Sequence, residues 1–254
     1  MSLSLHLVSD LDGTWIPAEG NLGSLRELEA LLGVNPGIVL TFATGRSLSS
    51  ALSAIAASVK VLPRHFVTDV GTAIFHRMKD GSWAEDPEYA AWVGSRWDTH
   101  LLEGPIEGWL PFGVRRQPEV FASRRLALEV EAGQDVPRTA ESLQTNLKMI
   151  GMVVDVLATG RCLDVLPKGV NKGAAADYLQ TRFKLPRPMV ACGDSENDIS
   201  LFQVADHSVL MADSPLGFDF PGMPREGIRR ASELGPMGIL EVVLSLTTAR
   251  VGVQ

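Results

Sequence analysis

The chain is short of several things, and each absence removes a class of function. No apolar run approaches the roughly 18 to 20 residues of a membrane span, so no membrane partner is expected. Two cysteines in 254 residues, Cys162 and Cys192, are too few for a four-ligand zinc site. Each lies in an apolar, strand-like segment, which suits buried reduced thiols better than a disulfide. Basic residues are outnumbered, 23 Lys and Arg against 30 Asp and Glu, and form no stripe, so nucleic acid is not an expected partner. The opening residues lack the basic and apolar regions of a secretory signal, and there is no internal repeat or low-complexity tract. A cytoplasmic globular protein is expected, monomeric or weakly oligomeric. With 45% hydrophobic residues it can bury one large core or two smaller ones.

What is present begins with Leu3 to Ser9, an alternating apolar run that reads as a strand and stops at Asp10-Leu11-Asp12-Gly13-Thr14. The period of two along a strand starts Asp10 and Asp12 on the same side of the backbone. Two like charges that close persist together only with a cation between them or a proton on one. The pentapeptide alone also reads as a solvated turn. After it come a helix at Ser24 to Leu32, a doubly buried strand at Gly37 to Ala43 and a helix at Ser47 to Val59. A strand, turn, strand signal follows over His65 to Phe75.

Between about Met78 and Arg161 the character changes. Four of the five tryptophans fall here, with Arg115, Arg116, Arg124 and Arg125 close together. The stretch reads as an inserted α+β domain, with a helix around Tyr89 to Leu102 and strands at Arg125 to Val130 and Met149 to Val156. Strand and helix then alternate again: a strand at Cys162 to Leu166, a helix at Lys172 to Phe183, a strand at Pro188 to Cys192, a helix through Leu201 and Phe202, a strand at Ser208 to Met211, and a helix at Ile239 to Leu246. This pattern predicts an α/β fold on a doubly wound parallel sheet, whose ligands bind beyond the carboxyl ends of the strands.

Three polar clusters, Asp10 to Thr14, Thr44 to Arg46 and Gly193 to Asp198, each follow a predicted strand. Asp10, Asp12, Asp194 and Asp198 make an all-oxygen anionic set, the hard donors that favour Mg2+ over zinc or copper. Thr44 and Gly45, opening a helix, offer a hydroxyl and backbone N–H groups to a phosphate. Lys172 could neutralise the oxygens of a transferring phosphoryl group, with Lys168 as its rival.

Asp-Leu-Asp-Gly-Thr, then Thr44, then a lysine before a helix, then Gly-Asp-x-x-Asn-Asp resembles the four-motif signature of the haloacid dehalogenase superfamily. More narrowly the chain resembles its sucrose-phosphate phosphatases, through Ser9 to Trp15, Ala43 to Ser47, Leu163 to Pro167, Asn171 to Gly173, Cys192 to Ile199 and Gly238 to Glu241. Gly13 and Glu196 depart from that family, which carries Asn and Gly there, and so does the stretch Gln117 to Arg125. The resemblance implies a Rossmann-like core over 1–78 and 162–254, with a C2-type cap at 79–161 that reads the sugar. It implies a Mg2+-dependent phosphomonoester hydrolase for a small sugar phosphate, with a sucrose 6-phosphate-like disaccharide phosphate the first expectation. Another sugar phosphate or a glycosyl-glycerate phosphate is an alternative substrate, and a sugar-phosphate mutase an alternative activity. A phospho-accepting receiver-like module is the reading from another class; it needs about half this length and no insert.

The roles implied are Asp10 as nucleophile through an aspartyl phosphate, Asp12 as general acid and base, and Thr44, Gly45, Asn197 and Lys172 as phosphate ligands. Metal falls to Asp10, Asp194, Asp198 and the neighbourhood of Asp12, with Asp198 suited to orienting Lys172. Arg46, Arg116, Gln117 and Glu119 are the substrate candidates.

Overall fold

The computed structural model describes residues 3–16, 22–98 and 106–251. An eight-stranded sheet has the order β12-β11-β10-β1-β2-β3-β4-β5. Its strands are β1 (Leu5–Ser9), β2 (Ile38–Ala43), β3 (His65–Thr68), β4 (Ala73–Arg77), β5 (Trp83–Glu85), β10 (Met189–Gly193), β11 (His207–Leu210) and β12 (Ile228–Arg230). From β12 to β3 the pairs are parallel, and β4 and β5 are antiparallel additions. A four-stranded antiparallel sheet, β6-β7-β9-β8, is formed by β6 (Val114–Arg116), β7 (Leu126–Val130), β8 (Val154–Thr159) and β9 (Cys162–Pro167). The expected α/β class, with a mostly parallel sheet, holds.

The period of two in β1 sends Leu5 and Leu7 to one face of the large sheet and Val8 to the other. On the first face α1 (Leu22–Val34) and α7 (Gly235–Val251) cover it through Leu25, Leu28, Val242 and Val243. On the second, α5 (Lys172–Arg182) and α6 (Ile199–Val204) bring Ala175, Leu179, Leu201 and Phe202. β1 lies between β10 and β2, so the strand ends at Ser9, Ala43 and Gly193 are neighbours. That adjacency creates the site. Among the described residues, no helix is long and apolar enough to cross a membrane.

Several elements differ from the sequence expectation. The strand at Cys162 to Leu166 exists, but it pairs with β7 and β8 in the smaller sheet, whereas β5, from the inserted stretch, extends the larger one. Strand propensity fixes neither partner. The expected strand at Met149 to Val156 is the end of α4 (Val136–Met149), a turn at Gly151, and the start of β8. The apolar run Met149 to Val154 is continuous, so its periodicity cannot separate helix end from strand. The missed helical signal lay upstream: Asp135 caps through the Arg138 N–H, a proline follows, and Leu143 and Leu147 are buried on its inner face. α3 (Pro87–Gly94) ends sooner than expected, and residues 99–102 of that expected helix lie outside the described residues. α2 (Leu48–Ile55) is also shorter than Ser47 to Val59.

Two buried histidines link this packing to pH. His6, on β1, has Nδ1 at 2.9 Å from Gln180 Oε1 and Nε2 at 2.8 Å from Thr41 Oγ1. His65 Nδ1 lies 2.8 Å from His76 Nδ1. Burial lowers His6 to about 4, and burial, followed by His76 and Arg64, lowers His65 to about 3. Both stay neutral in the fold, whereas the unfolded chain takes up protons below about 6.5. Their stabilisation is therefore complete above that pH and is lost as pH falls toward 4, by about 1.4 kcal/mol per pH unit per histidine. Unfolding in urea at pH 7, 6, 5 and 4.5 should show this slope, and His6→Gln should flatten it. An unchanged slope in the variant would show that His6 carries none of it.

Candidate active site

Each motif enters at the carboxyl end of a strand. β1 delivers Asp10, which is nearly buried, and the chain turns at Gly13 with φ +73°. A Cβ there would lie 2.3 Å from Asp194 Oδ2, so glycine permits both the turn and the approach of that carboxylate. Trp15, fully buried edge-on to Phe42, anchors the loop to the core. β10 delivers Asp194. Asp198, fully buried, turns back so that Oδ2 accepts from the Asp194 and Ser195 N–H groups at 3.1 and 3.2 Å.

Lys172 stands at the start of α5, which Asn171 caps by accepting from the Ala174 N–H. Its ammonium is wholly buried and donates to Asp10 Oδ1 at 2.8 Å and Asp198 Oδ1 at 2.7 Å. Burial alone would lower Lys172, but Asp10 and Asp198 outweigh it and hold it protonated. Its rival Lys168 is 63% exposed and pairs with Asp155.

Asp10, Asp194 and Asp198 each offer a carboxylate oxygen, and these lie within 4.8 Å of one another. Burial comes first in raising Asp10, with Asp198 and Asp194 adding to it and Lys172 opposing. Burial and then Asp198 raise Asp194 to about 7. A crowded, oxygen-only anionic group of this kind fits a hard divalent cation such as Mg2+. Asp12, expected among the metal donors as well as in catalysis, is not in this group. Arg46 takes its carboxylate in a two-point grip, Nε to Oδ2 and Nη2 to Oδ1, both at 2.7 Å, which turns the side chain toward solvent and the cavity.

The cavity above Asp10 measures about 530 Å³. On the large-sheet side Asp12, Gly45, Arg46, Asp194 and Asn197 line it; the smaller sheet and its loops add Gln117, Glu119, Phe121, Arg125, Thr159 and Asp164. Thr44 lies buried next to this lining and not in it, its Oγ1 accepting from the Arg46 N–H at 3.1 Å. Of the substrate candidates, Arg46, Gln117 and Glu119 line the cavity and Arg116 does not. Arg116 sits on β6 opposite Leu128. Sequence reasoning missed Ser47, Ser50, Ser195, Thr159 and Asp164. The first three carried a usable signal, since Ser47 and Ser195 lie within recognised motifs and Ser50 one helical turn after one. Asp164 lies in the matching stretch Leu163 to Pro167 but was given no role, and Thr159 carried no signal, because its place depends on the pairing of β8 with β9.

A model of the sucrose-6F-phosphate phosphohydrolase family matches residues 3–242. Sucrose-phosphatase 1 of Nicotiana tabacum is 29% identical over 221 residues, covering 83% of this chain and 50% of that protein. Glucosylglycerol-phosphate synthase of Pseudomonas anguilliseptica is 28% identical over 242 residues, 92% of this chain and 30% of that one. The chain thus spans about half or less of the length of these curated relatives. The X-ray structure of the sucrose-phosphatase from Synechocystis sp. PCC6803, in complex with sucrose and phosphate, superposes with a TM-score of 0.83 at 28% identity. It covers 96% of this chain and 98% of that one. With the family match spanning nearly every residue and the motifs meeting at one set of strand ends, the chain belongs to the sucrose-6F-phosphate phosphohydrolase family.

Proposed function

We propose that this protein hydrolyses the phosphate monoester of a sugar, a sucrose 6-phosphate-like disaccharide phosphate before others, through an aspartyl phosphate on Asp10. The observation that carries the reading is a nearly buried carboxylate, hydrogen-bonded to a wholly buried lysine, in a cavity lined by residues of both sheets. A volume of about 530 Å³ lies in the range of about 300–1,000 Å³ for small-molecule sites.

Asp10 attacks phosphorus while the bond to the sugar oxygen breaks, and Asp12 gives that oxygen its proton. Water then attacks the phosphoryl group, passing a proton back to Asp12, and inorganic phosphate leaves with Asp10 restored. Lys172, Thr44, the Gly45 N–H and Asn197 hold the phosphoryl oxygens. Asp10 and Asp194 would hold Mg2+. When bound, the ion neutralises charge between an anionic nucleophile and an anionic phosphate. Asp198, with one oxygen on Lys172 and the other on two backbone N–H groups, orients the lysine more than it ligates metal. The smaller sheet is the cap that reads the sugar. We draw its limits by sheet membership, with β6 to β9 in the cap and β5 in the core. Free thiols at Cys162 and Cys192 suit a cytoplasmic enzyme.

One alternative has its own support. A relative is named for glucosylglycerol phosphate, and on the cap side of the cavity Arg125 balances Asp164 while Glu119 adds one net negative charge. That charge tolerates a neutral glycerol better than a carboxylated glycerate. Phosphate release should be measured over sucrose 6-phosphate, glucosylglycerol phosphate, glucosylglycerate phosphate and glucose 6-phosphate, with Mg2+ and with chelator. Release from a neutral disaccharide or glycosyl phosphate is expected, and its loss on chelation. Isomerised sugar phosphate without free phosphate would replace hydrolysis by a mutase. Chelator-resistant turnover would remove the metal from the reading.

A further inference from the structure

The turn between β3 and β4 is held against its own preferences. Asp69 and Val70 both have positive φ, 51° and 59°, a region that a branched residue such as Val rarely enters. Three sets of contacts hold it there. The Asp69 N–H donates to the Arg46 carbonyl at 2.9 Å and the Val70 N–H to the Thr44 carbonyl at 3.1 Å. Tyr89 Oη donates to the Gly71 carbonyl at 2.7 Å. Gly71, at φ +98°, packs so tightly on Asn171 and Lys172 that a Cβ would meet the Asn171 carbonyl carbon at 2.2 Å. The turn thus clasps the backbone of the loop that carries Arg46.

Its side chain points the other way, to the smaller sheet. Arg125, buried just before β7, donates to Asp164 Oδ1 at 3.0 Å and reaches Asp69 Oδ1 at 3.4 Å. One guanidinium therefore joins a carboxylate of the smaller sheet to a carboxylate of the strained turn. Burial raises both acids, and Arg125 is the largest influence opposing it. Asp69 does not line the cavity, and any effect it has on chemistry must pass through its neighbours. The chain of contacts runs Arg125, Asp69, the Arg46 carbonyl, and then the Arg46 guanidinium on Asp12.

We infer that Asp69 is a positioning residue for Asp12: its contact with Arg125 fixes the strained turn, and through Arg46 sets the acid and base in place when the smaller sheet is seated. The inference rests on the proposed role of Asp12. Asp69→Asn removes the charge while keeping a residue that tolerates positive φ. Three substrates separate the possibilities: the sugar phosphate turned over fastest in the panel; β-glycerophosphate, which needs its leaving oxygen protonated but is too short to reach the cap; and p-nitrophenyl phosphate, whose phenolate leaves almost unaided.

Asp69→Asn should lower kcat on the first two by about tenfold, leave KM nearly unchanged, and alter the initial burst of p-nitrophenolate by less than about twofold. Arg125→Lys keeps a cation beside Asp164 but loses the second arm, and should give the same pattern. A loss confined to the KM of the sugar phosphate would make Asp69 and Arg125 sugar readers and overturn the inference. An equal loss on all three substrates would mean a general packing defect and also overturn it. Asp12→Asn is run beside them. If it shows the leaving-group pattern and Asp69→Asn does not, only this inference fails; if Asp12→Asn shows none, the acid role fails and takes the inference with it.

Discussion

Asp10→Asn is expected to abolish phosphate release, by roughly 10⁴-fold or more, the scale seen when a single essential nucleophile is removed. The amide keeps the shape of the carboxylate, and its oxygen can still accept from Lys172, which now donates to Asp10 Oδ1 at 2.8 Å. It cannot attack phosphorus. The fold should survive, because Asp10 is pressed both ways, attracted by Lys172 and repelled by Asp198 and Asp194. Removing its charge takes away some of each. Circular dichroism and the melting temperature should stay close to the parent's while phosphate release disappears. Rapid phosphate release by the pure, folded variant would show that Asp10 is not the nucleophile.

Lys172→Met should cost both activity and stability, and here the stability loss is the sharper test. The methionine fills much of the same volume but leaves Asp10 and Asp198 facing each other with no ammonium between them. Lys172 is wholly buried, so water cannot replace what it supplied. Breaking one partner of such a buried group costs about 3–5 kcal/mol. Asp198 keeps its Oδ2 bonds to the Asp194 and Ser195 N–H groups, so the loss should centre on Asp10 and the start of α5. Mg2+ should recover part of it, since a cation that binds the folded site and not the unfolded chain shifts the equilibrium toward the fold. Denaturant unfolding with and without Mg2+ measures both quantities. A variant as stable as the parent would mean that the three charges do not depend on one another as their distances imply. By contrast Lys168→Met, which removes an exposed partner of Asp155, should cost little.

The residues of one chain segment were readable as a set because their geometry is local. Asp10 and Asp12 belong together through the period of a single strand. Gly193, Asp194, Asn197 and Asp198 lie in one turn after another, and Asn171 caps the helix that begins at Lys172. Apolar runs of the right length located β1, β2 and β10, because a strand buried on both faces admits little else. These features need only a residue and its near neighbours.

What the tertiary structure decided spans longer distances. Lys172 and Asp10 are 162 positions apart, and no spacing rule separates Lys172 from Lys168; burial between two carboxylates does. The sheet order placed β1 between β10 and β2, which brings three separate motifs to one edge. β9 reads as a core strand by propensity, yet its hydrogen bonds go to β7 and β8, and that choice puts Asp164 over the cavity. Asp69 looked like part of an ordinary turn. Its meeting with Arg125, 56 positions away, follows from how the two sheets face each other. Side chains joined by a turn of backbone obey local stereochemistry, whereas those joined across the chain depend on which surfaces the whole core must bury together.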